Sequence, residues 1–388
     1  VHLAIASRTD PPLAMDRLRA GRELAEIRAR DLRFSEAEAE AYLARVIGPE
    51  LARESATLLV QRTEGWIVGL HLATLWLRDT GDPAELLASF GGDTSHFVAE
   101  YLAAEVLAQQ PRAIRRFLLQ TSVLNRFCGE LCDAVLGLPP GSSAATLAEL
   151  DQANLFLVPL GAPGGWYRYH HLFEEMLKAA LHAEVTSAEV AALHNRASEG
   201  FAAEGMTEDA LRHALAAGNV DSAVQLVEAN AHGLLNRLER HTLERWLALL
   251  PREVVWERPR LLLVQAWLLY RQAQLAALEP VLDAAESHLD AGEEGIPPAG
   301  QRPVWGQIYA LRSATAYMIH DDLQRCLGLA EQALAWLPVA EPGARSTALI
   351  YGAFARQALG EKGDAVRRLE QALAVPAPLG LALSLIHI

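Results

Sequence analysis

The sequence predicts a mainly α-helical chain: a short α/β segment, a helical stretch, a winged-helix pattern and a tetratricopeptide-like α-solenoid. Three observations predict it. Alanine and leucine dominate, and aromatic residues make up only 6% of the chain, a mix that favours helix over strand. A β-hairpin signal stands at residues 156–169, inside a run of short helical patterns. From about residue 188 every stretch reads as helix, in pairs, and Glu331-Gln332-Ala333-Leu334-Ala335 recurs as Glu370-Gln371-Ala372-Leu373-Ala374, 39 positions later. Recurrence at such a period marks a stack of repeats.

Residues 1–34 form the only α/β-like part. Leu3 to Ala6 reads as a buried strand, and Pro11-Pro12 stops it and starts a short helix, Leu13 to Leu18. Glu23 to Arg28 reads as a second strand. This segment holds seven basic and five acidic residues. An opening on an interior strand leads us to expect an internal piece of a longer protein, cut inside a sheet-containing domain.

Residues 35–110 read as a helical domain. Ser35-Glu36-Ala37-Glu38 is a capping box, with helix to about Val46. Gly48-Pro49 breaks it, and a second helix runs to Arg62. Gly65-Trp66 opens a third, with Leu70, Leu72, Leu75, Trp76 and Leu77 as its apolar set. Phe97 to Ala108 reads as another helix. Four basic and twelve acidic residues make this the most acidic segment for its length.

Residues 111–187 read as a winged-helix domain. Pro111 starts a helix, and three short helices are expected at about 112–119, 128–136 and 144–153. Phe156 to Leu160, a Gly161-to-Gly165 turn, and Trp166 to Tyr169 make the hairpin. A helix from His171 to His182 closes the unit. Charges here nearly balance, so a structural winged helix fits better than one that reads DNA through a basic face. Residues 188–380 are the helical repeats, with turn signals at Gly205, Gly218, Pro280, Gly343 and Gly360. Small residues such as Ala365 and Ala372 sit where paired helices approach. Each hairpin of such an array buries its face only by stacking on its neighbours. Residues 381–388 carry no charge and no polar helical face, and read as a truncated repeat or a non-native tail.

Composition excludes several functions. The chain has 388 residues, 51% apolar and 21% charged, with a formal net charge of −14. This is a globular composition of two or three domains. Among 34 basic residues only Lys178 and Lys362 are lysines, and neither follows glycine or precedes Ser/Thr. A Gly-x-x-x-x-Gly-Lys-Ser/Thr phosphate loop is therefore absent from these residues. The acidic balance argues against these residues gripping a nucleic-acid backbone. Cys128, Cys132 and Cys326 are an odd, sparse set, which points to a reducing, cytoplasmic setting and to buried small apolar side chains. No apolar run reaches membrane-spanning length. No hydrolase motif occurs, and Glu174-Glu175 reads as a solvated face.

Two spots draw functional readings. Ser7-Arg8 sits at the carboxyl end of a buried strand, where open α/β sheets bind ligands and an arginine fork can meet a phosphate. Its other reading is a surface arginine pairing with Asp10 or Asp16. His170-His171 begin a helix, where free N–H groups attract anions. Their other reading is a satisfied structural histidine. A zinc site adding His182 or His194 lacks an arranged ligand set.

Several separated stretches, in order, resemble one family. They are Val1-His2-Leu3-Ala4-Ile5-Ala6-Ser7-Arg8-Thr9-Asp10-Pro11-Pro12-Leu13, Arg17-Leu18-Arg19-Ala20, Glu26 to Phe34, Thr63-Glu64-Gly65-Trp66, Phe97-Val98-Ala99-Glu100-Tyr101-Leu102, and Tyr167-Arg168-Tyr169-His170-His171-Leu172-Phe173. Together with the paired helices they resemble the MalT-type large ATP-binding regulators of the LuxR family, which are signal-transduction ATPases with numerous domains. The likeness spans about residues 1–375. It implies that residues 1–34 end a nucleotide-binding core. Arg8 would match the arginine that senses nucleotide phosphates, and His170 the winged-helix histidine on the phosphates of bound ADP. Gly65 and Trp66 would line the adenine side. Ile67 stands where many relatives carry proline, and His171 where relatives often do. The resemblance further implies ATP/ADP as cofactor in the full-length protein, an inducer on the repeats, and self-association when activated. DNA contact would come only through a C-terminal helix-turn-helix that these residues lack. The chain itself is then no enzyme. The alternative is a stand-alone helical-repeat scaffold for a protein partner.

Overall fold

The computed structural model describes residues 15–21, 24–27, 29–80, 102–153, 155–161, 165–237, 239–292 and 296–374. Arg8, the strand at Leu3 to Ala6, residues 97–101 and the 381–388 tail lie outside them. Two compact units result, Val1–Met206 and Thr207–Ile388.

In the first unit, helix α1 spans Met15–Ala20 and a 3-10 turn spans Ala29–Leu32. Of the second strand expected at Glu23 to Arg28, the described residues 24–27 are not in strand. Residues 24–27 run as irregular backbone with Ile27 73% exposed. A strand needs a ladder partner for its N–H and C=O groups, and none stands beside this stretch among the described residues.

Helices α2 (Glu36–Ile47), α3 (Pro49–Thr63) and α4 (Ile67–Thr80) pack together. Their core holds Ala39, Leu43, Ala56, Leu59, Leu70 and Ala73. Of the apolar set expected on α4, Leu70 is fully buried. The capping box at α2 forms: Glu38 N–H donates to Ser35 Oγ at 3.4 Å, and Ser35 N–H donates to the Glu38 carboxylate at 2.9 Å. Ser35→Ala should cost about 1 kcal/mol of stability, read as a lower urea midpoint. The expected helix ending at Ala108 closes instead in a π-type turn, Ala103–Leu107.

The winged-helix unit comprises α5 (Arg112–Thr121), α6 (Gly129–Leu136), α7 (Ser142–Gln152), β1 (Leu157–Pro159), β2 (Tyr167–Tyr169) and α8 (His171–Glu184). The strands pair antiparallel, Leu157 opposite Tyr169. Phe127 adds a one-residue bridge to Tyr167. Tyr169, Phe127 and Phe173 fill the centre, and Tyr169 Oη shares a 2.7 Å hydrogen bond with Thr121 Oγ1. Buried Asp133 accepts from the Gly141 and Ser143 N–H groups at 2.6 and 2.8 Å, fixing the start of α7. Helix α9 (Ser187–Ala203) packs on α6, where a Cβ on Gly200 would come within 2.7 Å of Leu131 Cδ1.

The second unit is a stack of helices: α10 (Thr207–Ala216), α11 (Val220–Asn236), α12 (Arg240–Leu249), α13 (Arg252–Glu257), α14 (Pro259–Arg271), α15 (Leu275–Ser287), α16 (Arg302–Met318), α17 (Leu323–Trp336), α18 (Pro342–Ala358) and α19 (Lys362–Ala374). The two recurring pentapeptides lie in α17 and α19, each the second helix of a pair. Their alanines Ala333 and Ala372 are buried, as is Ala365. Pro280 and Gly343, read as turn signals, lie inside helices instead. Pro280 sits within α15, where burial of Leu278, Val281, Leu282 and Ala285 outweighs the lost backbone bond. Gly343 follows Pro342 in the first turn of α18, where its N–H needs no intrahelical partner.

Candidate functional site

The site grows from the C-terminal end of α3. Thr63 ends that helix, and Glu64 and Gly65 follow in left-handed backbone, φ 50° and 71°. Gly65 is required there. A Cβ on it would lie 2.4 Å from the Phe34 carbonyl oxygen. Phe34 N–H donates to the Gly65 carbonyl at 2.8 Å, so the chain entering α2 is clasped to this turn. Trp66 comes next, its N–H donating to the Thr63 carbonyl at 2.9 Å.

Strand β2 delivers the other half. Side chains alternate along a strand, so Tyr169 enters the winged-helix core while Arg168 and His170 point the other way, onto the turn after α3. Arg168 grips the Glu64 carboxylate with both arms, at 2.8 and 3.1 Å. Arg33 adds a contact at 3.3 Å, and His171 N–H donates to Glu64 Oε1 at 3.4 Å. Burial alone would raise the Glu64 pKa. The Arg168 fork, the neighbouring His170 and the His171 N–H overcome it and hold the carboxyl at about 2. Arg168 is raised in turn, first by its hydrogen bond to Glu64.

His170 is buried, while His171 is exposed. His170 Nε2 lies 2.9 Å from the Thr63 carbonyl. A carbonyl only accepts, so Nε2 carries the proton. Burial lowers the His170 pKa, with Glu64 and the Thr63 bond opposing. In the neutral ring, Nδ1 is thus a bare acceptor, and it is buried with no hydrogen-bond partner among the described residues. Trp66 and Phe156 flank the imidazole, centroids 6.3 and 6.1 Å away, and Trp66 and Phe156 meet edge-on at 5.4 Å. Phe156 itself has a positive φ of 55°, and its carbonyl accepts from His170 N–H at 2.8 Å.

Three of the four residues singled out from sequence, Gly65, Trp66 and His170, therefore meet, although about a hundred positions separate them. Arg8 lies outside the described residues. Sequence reasoning missed the Glu64–Arg168 pair, the Thr63 carbonyl and Phe156. Glu64 and Arg168 each adjoin a flagged residue, but no spacing rule pairs charges so far apart. Nε2 has the partner that a structural histidine would have, and Nδ1 has none among the described residues. No group of three or more metal-ligating side chains occurs among the described residues. Cys128 and Cys132 are buried, and burial first, then Cys128 and Asp133, raises the Cys132 pKa well beyond the usual thiol range. No helix among the described residues is long and apolar enough to cross a membrane.

Comparison with known proteins gives this geometry a setting. Residues 103–189 match the MalT winged helix domain. The chain is 34% identical over 92% of its length to the serine/threonine-protein kinase PknK of Mycobacterium tuberculosis, covering 32% of that protein. It is 31% identical over 87% of its length to the HTH-type transcriptional regulator MalT of Klebsiella pneumoniae, covering 36% of it. The chain thus spans about a third of the length of the curated relatives it matches. Among solved structures, a Signal Transduction ATPase with Numerous Domains protein with a tetratricopeptide repeat sensor, from Pyrococcus horikoshii, aligns with TM-score 0.49 at 13% identity. That alignment covers 89% of this chain and 54% of the other.

Proposed function

We propose, on the premise that this chain is MalT-like with a MalT winged helix domain, that it is the gating and sensor region of an ATP-dependent, inducer-responsive bacterial transcription regulator. Residues 1–34 end its nucleotide-binding core, 35–110 and 111–187 gate it, and 188–380 sense an inducer. The carrying observation is His170 seated between the Thr63 carbonyl and Trp66, with Nδ1 left over. The winged helix is thereby latched to the turn that the family resemblance sets on the adenine side. Similarity to a transcriptional regulator along most of the chain weighs against a stand-alone scaffold.

In this reading ADP favours the latched form, and its phosphates meet Arg8 and His170. A phosphate oxygen is an acceptor, so His170 must take a second proton on Nδ1 to hold it. Nucleotide binding then raises the His170 pKa, and ADP affinity increases as pH falls towards 6.5. ATP and inducer together favour release, self-association and presentation of a DNA-binding domain. These residues supply no catalytic group of their own, and the protein acts in the cytoplasm.

Calorimetry of ADP binding to the full-length regulator tests this. His170→Ala and Arg8→Ala should each weaken ADP about tenfold or more, roughly 1.4 kcal/mol. His170→Ala should also flatten the pH dependence. Unchanged affinities with unchanged basal activation would remove both residues from the site.

A further inference from the structure

The second unit contains a groove of about 510 Å³, formed among α11, α12, α14, α16 and α18. That volume suits a small molecule. Its apolar side is aromatic and held in place. Trp267 meets Tyr270 edge-on at 5.7 Å, and Tyr270 meets Tyr351 at 6.4 Å. Tyr270 Oη donates to Tyr351 Oη at 3.2 Å. Trp267 Nε1 donates to Gln307 Oε1 at 2.8 Å, which leaves the Gln307 amide N–H groups free to donate.

The charges of the groove do not balance. Among the described residues that line it Glu341 is the one acid, and it lies 3.4 Å from His232 Nδ1. Burial raises the Glu341 carboxyl pKa. Arg240, on the rim, pairs with Glu244 at 3.4 Å. Arg271 is different. It is partly buried, and burial lowers its pKa with only Tyr270 opposing. Among the described residues no carboxylate comes within ion-pair distance of it. A desolvated guanidinium without a counter-charge is costly, and its planar fork matches a carboxylate or phosphate.

We propose that this groove binds a small amphiphilic anion: an aromatic or other apolar body carrying one carboxylate or phosphate group. Arg271 pairs with the anionic end. Trp267, Tyr270 and Tyr351 enclose the body, and Gln307 donates a further hydrogen bond. The assignment names the inducer class, and so rests on reading the repeats as the sensor.

The test is calorimetry on the 388-residue chain with phenylacetate, phenyl phosphate and neutral phenylacetamide. Either anion should bind about tenfold or more tighter than the amide, and the stronger of the two identifies the anionic group. Arg271→Gln should abolish that margin while leaving amide binding unchanged and thermal melting no lower, because it removes an uncompensated buried charge. Arg271→Lys keeps the charge without the fork and should retain part of the margin. Higher ionic strength should weaken the anions alone. Equal binding of the amide, an undiminished margin in Arg271→Gln, or no binding of either anion at about 10 mM would overturn the assignment. The sensor reading fails separately. It falls if Arg271-dependent binding leaves transcription by the full-length regulator unchanged, while the site itself stands.

Discussion

Gly65→Ala is expected to destabilise the first unit by about 3 kcal/mol, visible as a lower midpoint in chemical unfolding. Two costs combine. The residue sits at φ 71°, and left-handed backbone costs a non-glycine residue about 1 kcal/mol or more. The new Cβ would also overlap the Phe34 carbonyl oxygen at 2.4 Å and the Phe34 nitrogen at 2.9 Å. Those are backbone atoms, which cannot rotate away as a side chain can. Relief requires the Phe34 N–H bond to the Gly65 carbonyl to break, and overpacking of this kind costs about 1–3 kcal/mol more. Gly137 separates the two contributions. It has φ 66° and nothing within 4 Å of its would-be Cβ, so Gly137→Ala should show the backbone cost alone, about 1 kcal/mol. Equal losses in the two variants would mean that the clasp between Phe34 and Gly65 does not constrain the unit.

Local chemistry in this chain was legible, and long-range pairing was not. The Ser35–Glu38 box, the hairpin and the helix starting at His171 follow from side chains a few positions apart. A second box, Thr186 with Glu189, forms by the same rule and carried the same signal. Pro280 shows the limit of local rules. A proline marks a break only where burial around it is weak, and the apolar contacts of α15 are strong. The stretch at residues 24–27 shows another limit, because strand propensity gives nothing without a neighbouring strand, and none stands beside it among the described residues. The candidate site was half legible. The likeness to a known family picked out Gly65, Trp66 and His170. That His170 rather than His171 turns inward was readable only from β2, whose alternation sends Tyr169 to the core and His170 to the opposite face. The Glu64–Arg168 pair depends on how the wing strand β2 meets the turn after α3, which no spacing in the sequence encodes.

That pair sets the second large effect, because it holds the latch by charge. The Glu64 side chain is 10% exposed. In Arg168→Ala it keeps the His171 N–H at 3.4 Å and Arg33, whose own side chain is 41% exposed. Removing one partner of a largely buried pair leaves a desolvated charge, and a loss of about 2–3 kcal/mol is expected at pH 7. The wild-type pH profile carries the same signature. Glu64 titrates at about 2 in the folded chain against an ordinary 4.5, so its contribution is complete above 4.5 and is lost as pH falls towards 2. Allowing for solvent screening, that contribution is about 1–2 kcal/mol. His170 acts in the same direction at higher pH. Its folded pKa lies below the ordinary 6.5, so acid below 6.5 protonates the unfolded chain first and favours it. Stability of the first unit should therefore decline in two stages, one starting near pH 6.5 and one below 4.5. His170→Ala should shrink the first stage and leave the part due to His194, whose folded pKa burial also lowers. Arg168→Ala should shrink the second to what the capping carboxylates Glu38 and Glu189 contribute, since an unpaired buried carboxylate gains from protonation and the variant's deficit shrinks in acid. Arg168→Ala combined with Glu64→Gln should recover part of the loss at pH 7, the two changes being coupled through one contact. A deficit in Arg168→Ala that stays constant from pH 7 to 3, with no recovery in the double variant, would show that the fork packs against the turn without holding it by charge.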